Sequence, residues 1–220
     1  MKRIIFSKFS NKYSFKEVLS LLRNNIGMCY LVLNLLAGII AGSLAAKNAD
    51  DSMLAGLDFI FAGNINTKLS QGLVENFITS FSSYFIFILA IFLMGLSLWG
   101  FLAVPFIVFF RGFVTGLSSG FLCARYGIFG FAFNVFILLP GIFLSSLAVL
   151  LMSKESINFS INVSSRFVPL KMKSEKSVTL KTFLARTGII LTVIVVASII
   201  DVVFTGAFSG FFDFEKISTL

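Results

Sequence analysis

No histidine occurs in the 220 residues, and there are two cysteines, Cys29 and Cys123. A zinc site, histidine acid–base chemistry and a Cys–His dyad cannot be assembled from that inventory. Charge is scarce as well: Lys, Arg, Asp and Glu make up 13% of the chain, about half the share of a soluble domain. No loop carries a Gly-Lys-Ser/Thr phosphate run, a HExxH or a serine elbow. Asp50 and Asp51 adjoin, but nothing nearby supplies a partner acid or base. No catalytic residue, metal site or cofactor is expected, and the chain reads as no enzyme.

What the chain has in quantity is apolar surface. Hydrophobic residues make up 57%, with 29 Phe, and the mean hydropathy is +0.97. The formal charge of +8 would suit nucleic acid, but the basic residues flank apolar segments instead of forming a patch on a soluble fold. Nucleic acid is therefore excluded as a partner, and membrane lipid is the expected surroundings.

A bilayer core of about 30 Å needs roughly 20 apolar helical residues. Ile26–Ala46 meets this with one strongly polar side chain, Asn34. Tyr84–Met152 is almost unbroken and divides at Gly100 and at Cys123–Gly127 into Tyr84–Phe101, Leu102–Leu122 and Ile128–Met152. A last span runs over Thr187–Gly206. The expected fold class is all-α, a polytopic membrane protein with five transmembrane helices. Residues 1–25 form a basic amphipathic segment, 26–206 the membrane domain and 207–220 a tail. Loops are expected over 47–83 and 153–186.

Charge orients the spans. Six Lys or Arg precede the first span, seven lie in 153–186, and both sets fall on one side in a five-span layout. The other side holds four: Lys47, Lys68, Arg125 and Lys216. Thirteen against four places the N-terminus in the cytoplasm and the C-terminus outside. Ser43-Leu44-Ala45 would serve as a signal-peptidase site, but the preceding apolar run is about twice the usual length. An uncleaved first span follows. Before it, Phe15, Val18, Leu19 and Leu22 line one side of a short amphipathic stretch, which either lies along the inner membrane surface or enters the span as a solvated helix. Cys29 and Cys123 fall near opposite membrane faces and cannot pair.

On a helix the third span sorts into sides. Phe106, Phe110, Phe113, Leu117 and Phe121 are expected toward lipid, with Arg111, Thr115, Ser118 and Ser119 opposite and Gly112, Gly116 and Gly120 on the adjoining stripe. Glycine every fourth residue admits a neighbouring backbone. Pro105 is placed in the first turn, where its missing N–H costs little. Gly38 and Gly42 make a second, weaker small-residue pair. Asp201 in the last span is the one acid within a span and Arg111 the one base, so a direct Arg111–Asp201 contact is expected. The alternatives are an arginine that snorkels to the interface, and an aspartate that approaches the surface or pairs with Asn134.

The outer loop 47–83 carries Phe59, Ile60, Phe61, Phe77 and Ile78, more apolar surface than a solvated connector needs. These residues are candidates for binding a partner, for lying on the membrane, or for packing on the bundle itself. The inner loop 153–186 is basic and Ser-rich, as a cytoplasmic connector near lipid headgroups would be.

The stretch from Phe77 to Ser160 resembles the stage II sporulation protein M family. The likeness rests on Gly95, Gly100, Pro105, Arg111, Gly112, Gly116, Gly120, Gly127, Gly130, Leu139 and Pro140, with Phe159-Ser160 after the fourth span. Some broader relatives carry His-Gly and then Glu after the span proline; here Pro140-Gly141-Ile142-Phe143 has neither, against a membrane-embedded acid–base site. The resemblance implies a membrane anchor that holds peptidoglycan hydrolases, stage II sporulation proteins P and D, at the septal membrane while the forespore is engulfed. It leaves open the sporulation protein itself or a paralogue. The reading from another class is a small transporter or channel subunit using Arg111 and Asp201.

The charge distribution yields a topology test. With Cys29 and Cys123 replaced, Ser70→Cys should react with an impermeant thiol reagent on intact cells and Ser177→Cys should not. Labelling at position 177 alone would invert the orientation.

Overall fold

A computed structural model of the chain describes residues 26–49, 72–167 and 179–208. Five helices account for nearly all of them: α1 (Ile26–Lys47), α2 (Leu73–Leu96), α3 (Gly100–Phe133), α4 (Leu139–Phe167) and α5 (Leu180–Phe208). Four stretches are long and apolar enough to cross a membrane: Ile26–Lys47, Leu73–Leu96, Gly100–Ser165 and Leu180–Ala207. The protein is all-helical in the described residues, and it buries little of its apolar surface. Phe106 is 71% exposed, and Leu33, Ile86, Ile189 and Val203 also point outward, while Ser153, Ser198 and Asp201 are sealed inside. A water-soluble protein would show the reverse.

The longest apolar stretch is not one rod. Gly127 has φ 55 and ψ −129, a backbone conformation that side chains disfavour, and α3 breaks there. After it Gly130 packs so closely on the Leu122 carbonyl that a Cβ would overlap it. The chain then reverses: Arg111 meets Ser145, Phe101 meets Ser160 and Leu98 meets Ser164. A π-helical turn, Asn134–Leu138, leads into α4, with the Leu139 amide bonded to the Asn134 carbonyl. The wider turn comes just before Pro140, whose missing N–H removes one rung of an α-helical ladder.

Paired residues give the helix directions. Leu35 and Ile39 lie on Gly112 and Gly116 in rising register, so α1 and α3 run parallel. Glu155 meets Arg186 and Met152 meets Thr187, so α4 and α5 run antiparallel. Met94 abuts Gly100 while Tyr84 reaches Arg111, so α2 and α3 form a tight antiparallel hairpin.

The closest packing lies between α1 and α3. A Cβ on Gly38 would meet the Phe109 carbonyl, and one on Gly42 the Phe113 carbonyl. From the other side, Gly112 faces the Leu35 carbonyl and Gly116 the Ile39 carbonyl, with Gly120 against Ala46 and Ser43. The weaker pair on α1 is thus the counterpart of the stripe on α3. Near the opposite end of the bundle Phe183 stacks between Phe92 and Phe159, with ring centroids 5.3 and 4.6 Å away.

Several boundaries differ from the sequence reading. The first connector is shorter than the expected 47–83, because α2 begins at Leu73. The last connector is shorter than the expected 153–186, because α4 continues to Phe167 and α5 starts at Leu180. The serines that suggested a loop, Ser153, Ser156, Ser160 and Ser164, recur at helical spacing and are buried. Ser160 and Ser164 serve the break between α2 and α3, where helix ends leave backbone groups unsatisfied. The Ser160 hydroxyl donates to the Ser97 carbonyl (2.8 Å) and accepts from the Phe101 amide (3.1 Å). The Ser164 hydroxyl donates to the Leu98 carbonyl at 2.6 Å. Pro105 lies in the second turn of α3, because the helix starts at Gly100. Phe106 and Phe110 are exposed as expected, but Phe121 is wholly buried, at the end of α3 over which the chain folds back. Residues 1–25, 50–71, 168–178 and 209–220 lie outside the described residues.

Gly116→Leu should force α1 and α3 apart and cost on the order of 3 kcal/mol, at the upper end of overpacking. Phe106→Leu, on the exposed side, should be nearly neutral. Detergent-solubilised yield and thermal unfolding would separate the two, and equal stability would refute the interlocked glycine seam.

Candidate functional site

Four helices deliver polar side chains to one buried position. From α2, Asn76, Ser80 and Tyr84 recur every fourth residue along the buried side, and all three are covered. From α3 comes Arg111, 6% exposed; from α4, Gly141 and Ser145; from α5, Ser198, Asp201 and Thr205. Among the described residues Arg111 and Asp201 are the only buried charged side chains.

Arg111 Nη2 donates to Ser145 Oγ at 2.9 Å. The guanidinium carbon lies 4.8 Å from the Phe87 ring centroid and 5.5 Å from that of Tyr84. These are cation–π distances, and the attraction grows as water is removed. Among the described residues Arg111 Nε has no hydrogen-bond partner. Asp201 Oδ2 accepts from Ser80 Oγ at 2.5 Å, and the Thr205 hydroxyl donates to the Asp201 carbonyl at 2.7 Å.

The expected direct Arg111–Asp201 contact does not form. Ser145 and two aromatic rings hold the guanidinium, Ser80 holds the carboxylate, and Tyr84 lies between them. Its ring faces Arg111, and its hydroxyl and Asp201 Oδ1 border the same space at Gly141, 2.7 and 3.0 Å from where a Cβ would be. Gly141 is the room for this meeting. Any side chain there would expel either the phenol or the carboxylate.

Arg111 therefore neither snorkels nor pairs directly, and Asp201, fully buried, neither reaches the surface nor depends on Asn134, which is only half-buried. Sequence reasoning placed the two charges in one interior but missed Tyr84, Ser80, Asn76 and Gly141. The four-residue spacing of Asn76, Ser80 and Tyr84 was the available signal. The glycines Gly112, Gly116 and Gly120 belong to the α1 seam on the same helix as Arg111.

The partner-binding candidates divide. Phe59, Ile60 and Phe61 lie outside the described residues. Phe77 and Ile78 are not in a loop: they occupy the second turn of α2, where Ile78 is exposed and Phe77 stacks on Phe81 at 6.0 Å. Cys29 is half-buried near the start of α1 and Cys123 exposed near the end of α3, both as free thiols at opposite ends of two parallel helices.

Long apolar helices with outward Phe, Leu and Ile and an inward charged cluster define a multi-pass membrane protein. Residues 31–206 match the stage II sporulation protein M family. The chain belongs to that family, and is on that ground a sporulation-related membrane protein. No curated protein and no solved structure matches it.

Arg111→Leu should destabilise the fold, because it leaves the Asp201 carboxylate with no opposite charge in the cluster. Arg111→Leu combined with Asp201→Leu should lose less than the sum of the single changes, with a coupling of about 1 kcal/mol. Tyr84→Phe, lacking the hydroxyl between them, should weaken that coupling. Additive losses in thermal unfolding would mean that the charges act independently.

Proposed function

We propose that the protein is a non-enzymatic membrane scaffold that crosses the bilayer five times and holds wall hydrolases at the septal membrane during engulfment. Membership of the stage II sporulation protein M family is the observation that carries this reading. The partners it implies are the peptidoglycan hydrolases of the engulfment complex, stage II sporulation proteins P and D. A five-span layout is supported by the reversal at Gly127, which divides the longest apolar stretch into two antiparallel arms. The thirteen-to-four distribution of Lys and Arg then favours a cytoplasmic N-terminus and an outer C-terminus.

A bundle locked by glycine contacts, with its two buried charges each held by neighbouring side chains, suits an anchor that must keep its shape. Transport by way of Arg111 and Asp201 would need water or a solute at both groups. Ser145, Phe87 and Tyr84 surround the first, and Ser80 caps the second.

The docking contact belongs outside, where the wall is. In this orientation the segment between α1 and α2 is the longest outer stretch of sequence, and Phe59, Ile60 and Phe61 are its apolar candidates, with Phe77 and Ile78 near the adjoining end of α2. Replacing Phe59 and Phe61 with Ser should release the hydrolases from the membrane fraction of sporulating cells while the protein itself remains. Stable protein with hydrolase still bound would exclude this loop. Flux of a solute through liposomes holding the purified protein would favour the transporter reading instead.

A further inference from the structure

Two open grooves on the bundle meet at Ser119 and Asn134. One, of about 480 Å³, lies over α3 between α1 and α4, with Val32, Leu36, Ile39, Ile142 and Leu147 among its walls. The other, of about 510 Å³, continues to Ser43 and Lys47 at the end of α1. The path from Val32 to Lys47 along α1 is about 22 Å at the helical rise. That is long for a cleft between packed helices, and it changes character from end to end. The Val32 end is walled by aliphatic side chains, the middle offers the Ser119 hydroxyl and the Asn134 amide, and the far end offers the Lys47 ammonium. Among the described residues no acidic side chain lines either groove.

We propose that this continuous groove binds one anionic diacyl phospholipid. One acyl chain lies along α1 and α4, the glycerol ester region sits at Ser119 and Asn134, and the phosphate meets Lys47. The charge gradient selects this occupant. An apolar groove gives an acyl chain little hydrophobic gain over the bilayer it leaves, so selectivity must come from the polar end. A lysine at a membrane surface attracts an anionic headgroup with a factor of about fivefold in affinity. A second copy of the chain packed there would bury Lys47 with no carboxylate among the groove's described residues to receive it.

The test uses the full chain purified in a neutral detergent. Phosphatidylglycerol and phosphatidylcholine with identical acyl chains are offered in equal amounts, and retained lipid is read by native mass spectrometry. One lipid per protein is expected, with phosphatidylglycerol favoured about fivefold. Lys47→Gln should abolish the preference while leaving lipid bound. Leu36→Trp, which fills the groove, should reduce retention of both lipids, and Leu147→Trp on the opposite wall should do the same. Lipid-free thermal unfolding of each variant separates a blocked groove from a damaged fold. Equal retention of the two lipids, a preference that survives Lys47→Gln, or a dimer that forms in place of the lipid adduct would each overturn the proposal. None of these readings depends on hydrolase binding.

Discussion

Inside a bilayer no solvent is available to hydrogen-bond a polar group, and the rest of this structure follows from that constraint. A hydroxyl, amide or charge carried on an apolar helix is stabilised by a partner on the same helix or on a neighbour. The isolated hydroxyls take the first course: Ser153 donates to Val149, Thr115 to Arg111 and Ser198 to Ile194, each to a carbonyl one turn back. Groups that cannot be satisfied locally dictate which helices meet. Arg111 requires α2 and α4, Asp201 requires α2, and the broken backbone at Ser97–Gly100 requires the serines of α4. Polar contacts thus set the partners, and glycine sets the distance.

The α1–α3 seam shows the second half of that division. Two helices both surrounded by lipid gain nothing from burying leucine against leucine, since the tails are equally apolar. What favours association is the density of atomic contact, and this rises when side chains are absent. Gly38 and Gly42 on one helix interlock with Gly112, Gly116 and Gly120 on the other, and each backbone fills the space the other leaves. Arg111 stands one residue before Gly112, so the seam also fixes the rotation of α3 that presents the guanidinium to α2 and α4. A change at the glycines would therefore be felt at the charges.

Much of this could be read from the sequence because lipid makes hydropathy nearly decisive. The apolar stretches, the reversal near Gly127 and the glycine side of α3 are all local properties. What escaped the reading depends on distant partners. The run 73–83 contains Glu75, Asn76, Thr79 and Ser80, polar enough to end a hydropathy-based span, yet Asn76 and Ser80 are buried because α5 brings Asp201 to that level. Ser160 and Ser164 read as part of a connector for the same reason: nothing local reveals that a helix break sixty residues earlier needs hydroxyls. Phe121 misled in the opposite sense, since its burial depends on where the chain returns after Gly127. For the apolar residues 59–61, which the scaffold reading needs most, sequence remains the only guide.

Tyr84 explains why two opposite charges can share an interior without touching. A direct Arg–Asp pair in lipid would be held by one strong, directional contact, and a small shift of either helix would break it. Here each charge has its own neutral clamp, serine and rings for the cation and serine for the anion, while the phenol between them feels the field of both. Load is thereby spread over α2, α3, α4 and α5 instead of resting on α3 and α5 alone. The Gly141 that makes room for the phenol and carboxylate lies one residue after Pro140, just past the π-helical turn. That turn sets where α4 begins and so brings the glycine to their level. An irregularity in one helix thus permits a regular polar core among four.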